Sequence, residues 1–283
     1  MDSKAEKYRR LMIEAVEQTP AETGLLISGG MDSGTILAAM LALGRKPQLV
    51  TFHLAGHMSS DVRVSVRMAD AFNLKLETVV IPRSEHDLVD TVLEIMKLFQ
   101  ENGTKFGKVR IQCAHAIKVL SERLAKVGCT IAADGTPGIV EDNKRIYIIL
   151  HKHGEQRARE YRKEQLDGHY DSSSGTFIDV AAHYGVKLYQ PFMHQPLTDY
   201  ALSLDMEEIN RGRQKGIALR AFPEFWKTGS WWRKNSSLQV NGGLREYHDT
   251  LLKSAYNTHK WKLVLPVYKE IYRREIERMA HNN

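Results

Sequence analysis

The feature that most constrains this chain is the stretch Ser28-Gly29-Gly30-Met31-Asp32-Ser33-Gly34, which directly follows the apolar run Gly24-Leu25-Leu26-Ile27. The run reads as a short buried strand, the Ser/Gly-rich stretch as a turn, and Thr35 to Leu43 as a helix stopped by Gly44. A strand, turn and helix in this order build an anion site. The N–H groups of the turn and of the first helical turn have no partner inside the helix, and the helix dipole adds partial positive charge there. Gly29 and Gly30 let the main chain curl closely around an oxyanion. Ser28 and Ser33 add hydroxyl donors. Asp32 would repel a bare phosphate, so its presence implies a divalent metal between carboxylate and phosphate.

Beyond this stretch, strands and helices alternate. Residues 3–18 read as an amphipathic helix ahead of the first strand. Gln48 to Leu54 reads as a second strand, and Ser60-Asp61 as the cap of a helix running to about Phe72 with Val62, Val66 and Ala69 on one face. Leu76 to Ile81 is a third strand, closed by Pro82. Ser84 to Glu101 is a helix with Leu88, Val92, Ile95, Met96 and Phe99 as its buried stripe, and Arg110 to Lys126 is a further helix. Cys129 to Ala133 is a fourth strand, ending in Asp134-Gly135-Thr136-Pro137-Gly138. This order predicts an α/β fold, a parallel sheet with helices on both faces. Ligands of such sheets bind at the carboxyl ends of the strands, so the loops at 28–34, 53–61 and 134–143 converge on one crevice. Residues 141–175, rich in charge, His and Ser, read as a mobile insertion or lid. Beyond Pro196 the pattern is helical and aromatic. The expected organisation is an ATP-binding α/β domain over 1–195 and a helical, basic, aromatic-rich extension over 196–283 packed on it.

Composition sets outer bounds. With 42% hydrophobic and 26% charged residues the chain can bury a core, which excludes a disordered polypeptide. No apolar run approaches the ~20 residues needed to span a bilayer, and the N-terminus carries acids without an apolar signal core, so a cytoplasmic protein is expected. Cys113 and Cys129 are too few for a disulfide framework or a zinc site and read as small buried hydrophobes. Residues 205–283 hold 15 Lys and Arg against 9 Asp and Glu, so the whole formal surplus of +6 lies in them.

The loop is not a Walker loop, because no Gly-x-x-x-x-Gly-Lys-Ser/Thr is present. Ser-Gly-Gly-x-Asp-Ser resembles the PP-loop of the ATP pyrophosphatase superfamily. That resemblance implies an adenine nucleotide α-hydrolase-like fold, ATP and Mg²⁺ as cofactors, and cleavage between the α- and β-phosphates. The chain is most similar to the synthetase domain of asparagine synthetase and its relatives, β-lactam synthetase and lasso-peptide cyclases, over about residues 20–225. Three further segments carry this. Ser60-Asp61 and Arg67 to Leu74 are similar to the family helix that follows the adenine strand, on which Phe52 is placed. Val186 to Phe192 is similar to the segment with proline and phenylalanine. Gly212 to Phe222 resembles the helix whose lysine reaches the ATP phosphates and the charge that develops during acyl transfer; here that lysine is Lys215. Its role would be electrostatic stabilisation of a pentavalent phosphorus or a tetrahedral carbon. Taken alone, Lys215 would read as a surface helix lysine.

Departures from the family matter as much. A Gly-Glu-Gly-x-Asp-Glu turn is expected after the fourth strand, and this chain has Ala133-Asp134-Gly135-Thr136-Pro137-Gly138. Aligned directly, Asp134 replaces the glutamate and Pro137 takes the metal-ligand position. Alternatively the Asp-Gly-Thr turn resembles the Gly-Thr turn of GMP and NAD synthetases, which meets pyrophosphate. In either register Asp134 and Gly135 belong to the site, and Asp32 with Asp134 would hold Mg²⁺, with Glu141 and Asp142 in reserve. The resemblance implies a glutaminase domain in the glutamine-dependent enzymes, yet this chain reaches its loop strand at Gly24. A separate nitrogen donor, ammonia, a substrate amine or a nucleophile other than nitrogen is therefore expected.

Remaining candidates are weaker. Lys108 and Arg110 stand at a helix start beside the crevice, as contacts for a γ-phosphate or a substrate carboxylate or as solvated loop charges. His53 and His57 flank the end of the second strand. His151, His153 and His169 complete no metal-ligand set. In the tail, Trp226, Trp231, Trp232, Arg233, Lys234, Arg245, Tyr247, Tyr256, Lys260, Trp261, Lys262, Tyr268, Tyr272, Arg273 and Arg274 interleave aromatics with cations. They read either as a helical cap packed on the sheet or as a surface that stacks on bases and neutralises phosphates. Two functions follow. One is an ATP-dependent ligase that adenylates the carboxylate of a small-molecule or peptide acceptor and forms an amide. The other is an enzyme that adenylates or modifies a nucleobase in tRNA or DNA.

Overall fold

The protein is described from a computed structural model covering residues 2–136, 138, 144–168, 174–229, 231, 238–255 and 265–281. Its elements are α1 (Ser3–Glu17), β1 (Gly24–Leu26), α2 (Met31–Ala42), β2 (Leu49–Leu54), α3 (Ser60–Ala71), β3 (Leu76–Ile81), α4 (Glu85–Glu101), α5 (Lys108–Lys126) and β4 (Ile131–Ala133). There follow α6 (Lys144–Asp167), α7 (Ser174–His183), β5 (Lys187–Tyr189), a 3-10 turn at Pro191–Met193, α8 (Gln195–Ser203), α9 (Met206–Asn210), α10 (Gly216–Ala221), α11 (Pro223–Thr228), α12 (Leu238–Asn241), α13 (Leu244–Ala255) and α14 (Leu265–His281).

The five strands form one parallel sheet in the order β3-β2-β1-β4-β5. The loop strand β1 is therefore central, with its first β-α turn at the carboxyl edge between β2 and β4. Strand side chains alternate between the faces. Leu25, Leu49 and Ala133 point into one core with α1 and α2, whereas Leu26, Val50 and Ala132 point into the other with α4 and α5. The chain after Pro196 covers both faces. Leu197 to Trp231 contribute to the first core, and Leu244, Tyr247, Leu252, Val267, Tyr268 and Ile271 to the second.

Several element limits differ from the sequence reading. The helix after the loop begins at Met31 rather than Thr35, because Gly30 adopts an extended N-cap conformation (φ −81°, ψ 168°). Asp32, Ser33 and Gly34 consequently ride on the first turns of α2. Ser59, not Ser60, caps α3, its Oγ accepting the Val62 N–H at 3.4 Å. The buried stripe of α3 runs through Val62, Ser65, Met68 and Ala69, while Val66 is 39% exposed. Helix α5 begins at Lys108. Much of 141–175, expected as a mobile lid, is helical. Ile146, Ala158 and Tyr161 of α6 are buried in the first core, and Gly154 (φ 79°) joins two helical pieces. Pro137, Glu141, Asp142, His169, Trp232, Arg233, Lys234, Tyr256, Lys260, Trp261 and Lys262 lie outside the described residues. Among the described residues no helix is long and apolar enough to cross a membrane.

In the second core a buried polar chain ties α5 to α13 and α14. His115 Nδ1 lies 3.0 Å from His248 Nε2, His248 Nδ1 lies 2.7 Å from Tyr268 Oη, and Gln112 Nε2 donates to Tyr268 Oη at 3.4 Å. Burial holds both imidazoles neutral: it pushes His115 down to about 3, with the Lys118 charge adding to the effect, and His248 well below its ordinary value. The unfolded chain then binds more protons than the native one below pH 6.5, so stability is lost as pH falls through that value. Lowering the pH from 7.5 to 5 is expected to cost about 2 kcal/mol per histidine. Melting curves over that range should show the fall, and a His115→Gln, His248→Gln double variant should flatten it; identical slopes for both proteins would contradict the assignment.

Candidate active site

The site is built on glycines that neighbouring atoms crowd closely. At Gly29 (φ 63°) a Cβ would stand 2.7 Å from the Val64 Cβ and 2.8 Å from the Asp61 carbonyl oxygen. At Gly34 a Cβ would meet Trp226 Cη2 at 2.7 Å. The β1–α2 turn is thus pressed between α3 and α11. The turn after β4 closes on it from the other side. A Cβ at Gly135 would lie 3.1 Å from Asp32 Cβ, and one at Gly138 (φ 77°) would lie 2.9 Å from Asp32 Oδ2. Asp32 is therefore gripped between the two turns that the sequence assigns to nucleotide and metal.

Within the first turn the hydroxyls hold the loop in shape. The Ser28 N–H donates to Ser33 Oγ at 3.2 Å, the two hydroxyl oxygens are 3.2 Å apart, and the Gly30 N–H donates to Ser28 Oγ at 3.3 Å. Gly30 caps α2 without a side-chain cap bond of its own, at a helix N-terminus whose first-turn amides favour anions. An acid in that turn, Asp32, is favoured by the helix dipole.

Lys215 answers Asp32 from the far end of the chain. Its Nζ donates to Asp32 Oδ2 at 2.5 Å, and its side chain is only 7% exposed. The backbone is shaped for this. Lys215 is left-handed (φ 55°, ψ 30°) at the N-cap of α10, with its N–H donating to Asn210 Oδ1 at 2.7 Å. The next residue must be glycine, since a Cβ at Gly216 would stand 2.2 Å from the Arg211 carbonyl oxygen.

Asp134 is buried at the end of β4. Its Oδ1 accepts the Thr136 N–H at 2.6 Å and its Oδ2 accepts from Gln190 Nε2 at 3.3 Å. Burial pushes the carboxyl up to about 6, against these hydrogen bonds, which favour the anion. Two carboxylates on touching turns are an oxygen donor set suited to a hard cation such as Mg²⁺, with phosphate and water oxygens completing its shell. Among the described residues no group of three or more His, Cys, Asp or Glu forms a cation cage by itself.

The remaining candidates have partners of their own. Lys108 Nζ pairs with Asp249 Oδ2 at 2.8 Å, and Arg110 Nη1 donates to the Lys105 carbonyl at 2.9 Å. Phe52 is buried in the second core. His53 Nδ1 lies 2.9 Å from the Leu54 carbonyl oxygen. His57 Nε2 lies 3.4 Å from the Asn241 carbonyl oxygen, and Asn241 Nδ2 donates to Asp61 Oδ1 at 2.7 Å, so the tail walls the β2 end of the crevice. Sequence reasoning missed Asn210, Gly216, Gln190 and Asn241 as supports. Of these only Gln190 and Gly216 fell inside quoted segments, and nothing local distinguishes an asparagine that acts across the fold.

Residues 7–136 match the family model of asparagine synthase, a span that holds the 28–34 loop and the Asp134 turn and stops short of Lys215. No curated protein matches the chain. Two solved structures are similar in chain course. One is a predicted subunit of a tRNA methyltransferase from Methanocaldococcus jannaschii, 18% identical, with a TM-score of 0.33, covering 69% of this chain and 90% of its own. The other is the U34-tRNA thiolase NcsA from Methanococcus maripaludis with its [4Fe-4S] cluster, 12% identical, with a TM-score of 0.37, covering 97% of this chain and 79% of its own.

The Asp134 environment is directly measurable. Carbon-detected NMR of the nucleotide-free, metal-free protein should show one carboxyl titrating near pH 6, a signal absent from Asp134→Asn. A spectrum of that protein in which the Asp134 carboxyl titrates below 5 would refute the buried, desolvated placement.

Proposed function

We propose, from the premise that residues 7–136 are an asparagine-synthase-type domain of a PP-loop ATP-utilising enzyme, that this protein adenylates an acceptor carboxylate and converts it to an amide. The observation that carries the reading is the contact of Lys215 with Asp32 at 2.5 Å, inside the loop and beside the Asp134 turn. The lysine for which the resemblance implies a part in acyl transfer thus touches the carboxylate read as a metal ligand.

The chemistry follows from what each group can do. The amides at the start of α2 and the curl at Gly29 and Gly30 receive phosphate oxygens. Ser28 and Ser33 keep that curl closed. Asp32 and Asp134 would hold Mg²⁺, which when bound supplies the positive charge that neutralises phosphate oxygens. An acceptor carboxylate oxygen attacks the α-phosphorus, the bond to the bridging oxygen breaks, and pyrophosphate departs with the electron pair. Ammonia or an amine then attacks the acyl carbon, a proton is lost, and AMP leaves. Lys215 stands where negative charge builds in both steps and is held there by Asn210, so little reorganisation is needed as charge develops.

The alternative, modification of a nucleobase in tRNA or DNA, drew on the tail. There the described aromatics turn inward. Trp231, Tyr247 and Tyr268 are buried, Trp226 donates from Nε1 to the Ala218 carbonyl at 3.2 Å, and Tyr272 packs edge-on to Phe106. On α14, Arg273 and Arg274 pair with Glu270, and Arg278 with Glu275. This supports the packed cap and hence the ligase reading.

The test uses α-labelled ATP with Mg²⁺ and separate pools of amino acids, peptides, tRNA and DNA. The expected outcome is AMP and pyrophosphate formation that depends on a carboxylic acid pool, lost in Asp32→Asn and in Ser28→Ala with the fold retained. AMP formation dependent on tRNA or DNA alone would favour the alternative, and release of ADP would overturn both.

A further inference from the structure

The C-terminal end of α1 meets Arg45 just beyond the C-terminus of α2, through the Val16 and Glu17 carbonyls, so its first turns stand toward the carboxyl edge of the sheet. They are fastened there to the element that presents Lys215. Arg220 Nε donates to Asp2 Oδ2 at 2.7 Å, and Arg9 Nη1 donates to the Ala221 carbonyl at 2.9 Å, both on α10. Helix α1 also packs against α2, which carries Asp32. Between these attachments lies Tyr8. The residue is 1% exposed, and its hydroxyl is buried without a hydrogen-bond partner among the described residues.

An unpaired buried hydroxyl costs stability, and phenylalanine would fill the same space without that cost. The phenol also feels the charge of Asp32. Burial and that charge push its ionisation well up, so it remains an O–H donor. Asp32 Oδ2 is engaged by Lys215 Nζ. Once a cation takes Asp32 and Lys215 turns to the phosphates, the carboxylate loses that donor. Carboxylates that ligate metals are themselves held by outer hydrogen bonds, whose loss lowers metal affinity about 10–100-fold.

We propose that Tyr8 is a positioning residue of the nucleotide site: its hydroxyl is held in reserve for Asp32 and donates to that carboxylate when a divalent cation and nucleotide displace Lys215. The inference rests on the reading of Asp32 as a ligand for the ATP-bound metal.

The variant Tyr8→Phe tests it, with Mn²⁺ as the metal probe and α,β-methylene-ATP as the nucleotide. Free Mn²⁺ is followed by electron paramagnetic resonance, and nucleotide binding without metal by equilibrium dialysis. The expected result is Mn²⁺ affinity in the ternary complex weakened about 10–100-fold, metal-free nucleotide affinity unchanged, and a melting temperature of the unliganded protein equal to or above wild type. Equal Mn²⁺ affinity in the two proteins overturns the proposal. So does a lowered melting temperature, which means the hydroxyl already has a partner, or an equal loss of metal-free nucleotide binding, which means a merely structural disturbance. Wild-type protein that takes up no Mn²⁺ with the nucleotide removes the reading of Asp32 itself, and the inference falls with it.

Discussion

The ion pair between Asp32 and Lys215 joins residues 183 positions apart in the chain, and much of the architecture serves to make it. A carboxylate in the first turn of α2 is favoured by the helix dipole, and Asp32 remains 27% exposed between two glycine turns. Lys215 meets that carboxylate only because its own backbone is left-handed, because Asn210 takes its N–H and because Gly216 lets the chain pass the Arg211 carbonyl. Buried ion pairs are weak devices for stability, and in some proteins they specify how chain segments pack. Here the pair fixes a C-terminal segment over an N-terminal loop, which is the geometry that phosphate chemistry needs.

The packing around it has the same logic. The central strand sends Leu25 and Leu26 into opposite cores, and the chain after Pro196 supplies side chains to both. The crevice at the carboxyl edge is therefore bounded on one side by α10 and α11 and on the other by α12 and α13. Trp226 against Gly34 and Asn241 against Asp61 are the points where these walls touch the β1–α2 turn and the first turn of α3. Asp32 rides on α2, whereas Asp134 and Lys215 sit in turns fixed at the end of β4 and the start of α10, which limits the reorganisation a reaction would require.

What could be read in advance follows from how local each signal is. The parallel sheet, the loop and the end of β4 were legible, because strand-turn-helix periodicity and glycine placement are properties of short segments. The start of α2 was misplaced by four residues, since Ser and Gly look like turn residues until Gly30 is seen to cap. Val66 reads as sharing a face with Val62 and Ala69, but the buried stripe of α3 includes Ser65 and leaves Val66 exposed, because apolar spacing alone does not fix the phase of this helix. Lys215 was legible only by resemblance, and Asn210 and Tyr8 not at all, because their roles depend on contacts between elements distant in sequence. The tail cations looked like a patch in the linear charge count, while the fold pairs those of α14 with acids one turn away.

The central claim is that the curl from Ser28 to Gly34 receives the phosphates of a nucleotide. Amide-resolved NMR of isotopically labelled protein, titrated with Mg²⁺ and α,β-methylene-ATP, measures this directly. The account predicts that the amides of Gly29, Gly30, Asp32 and Ser33 shift first and furthest, together with the Nζ signal of Lys215. Binding that leaves those amides unmoved, with the largest changes elsewhere on the sheet, would contradict it.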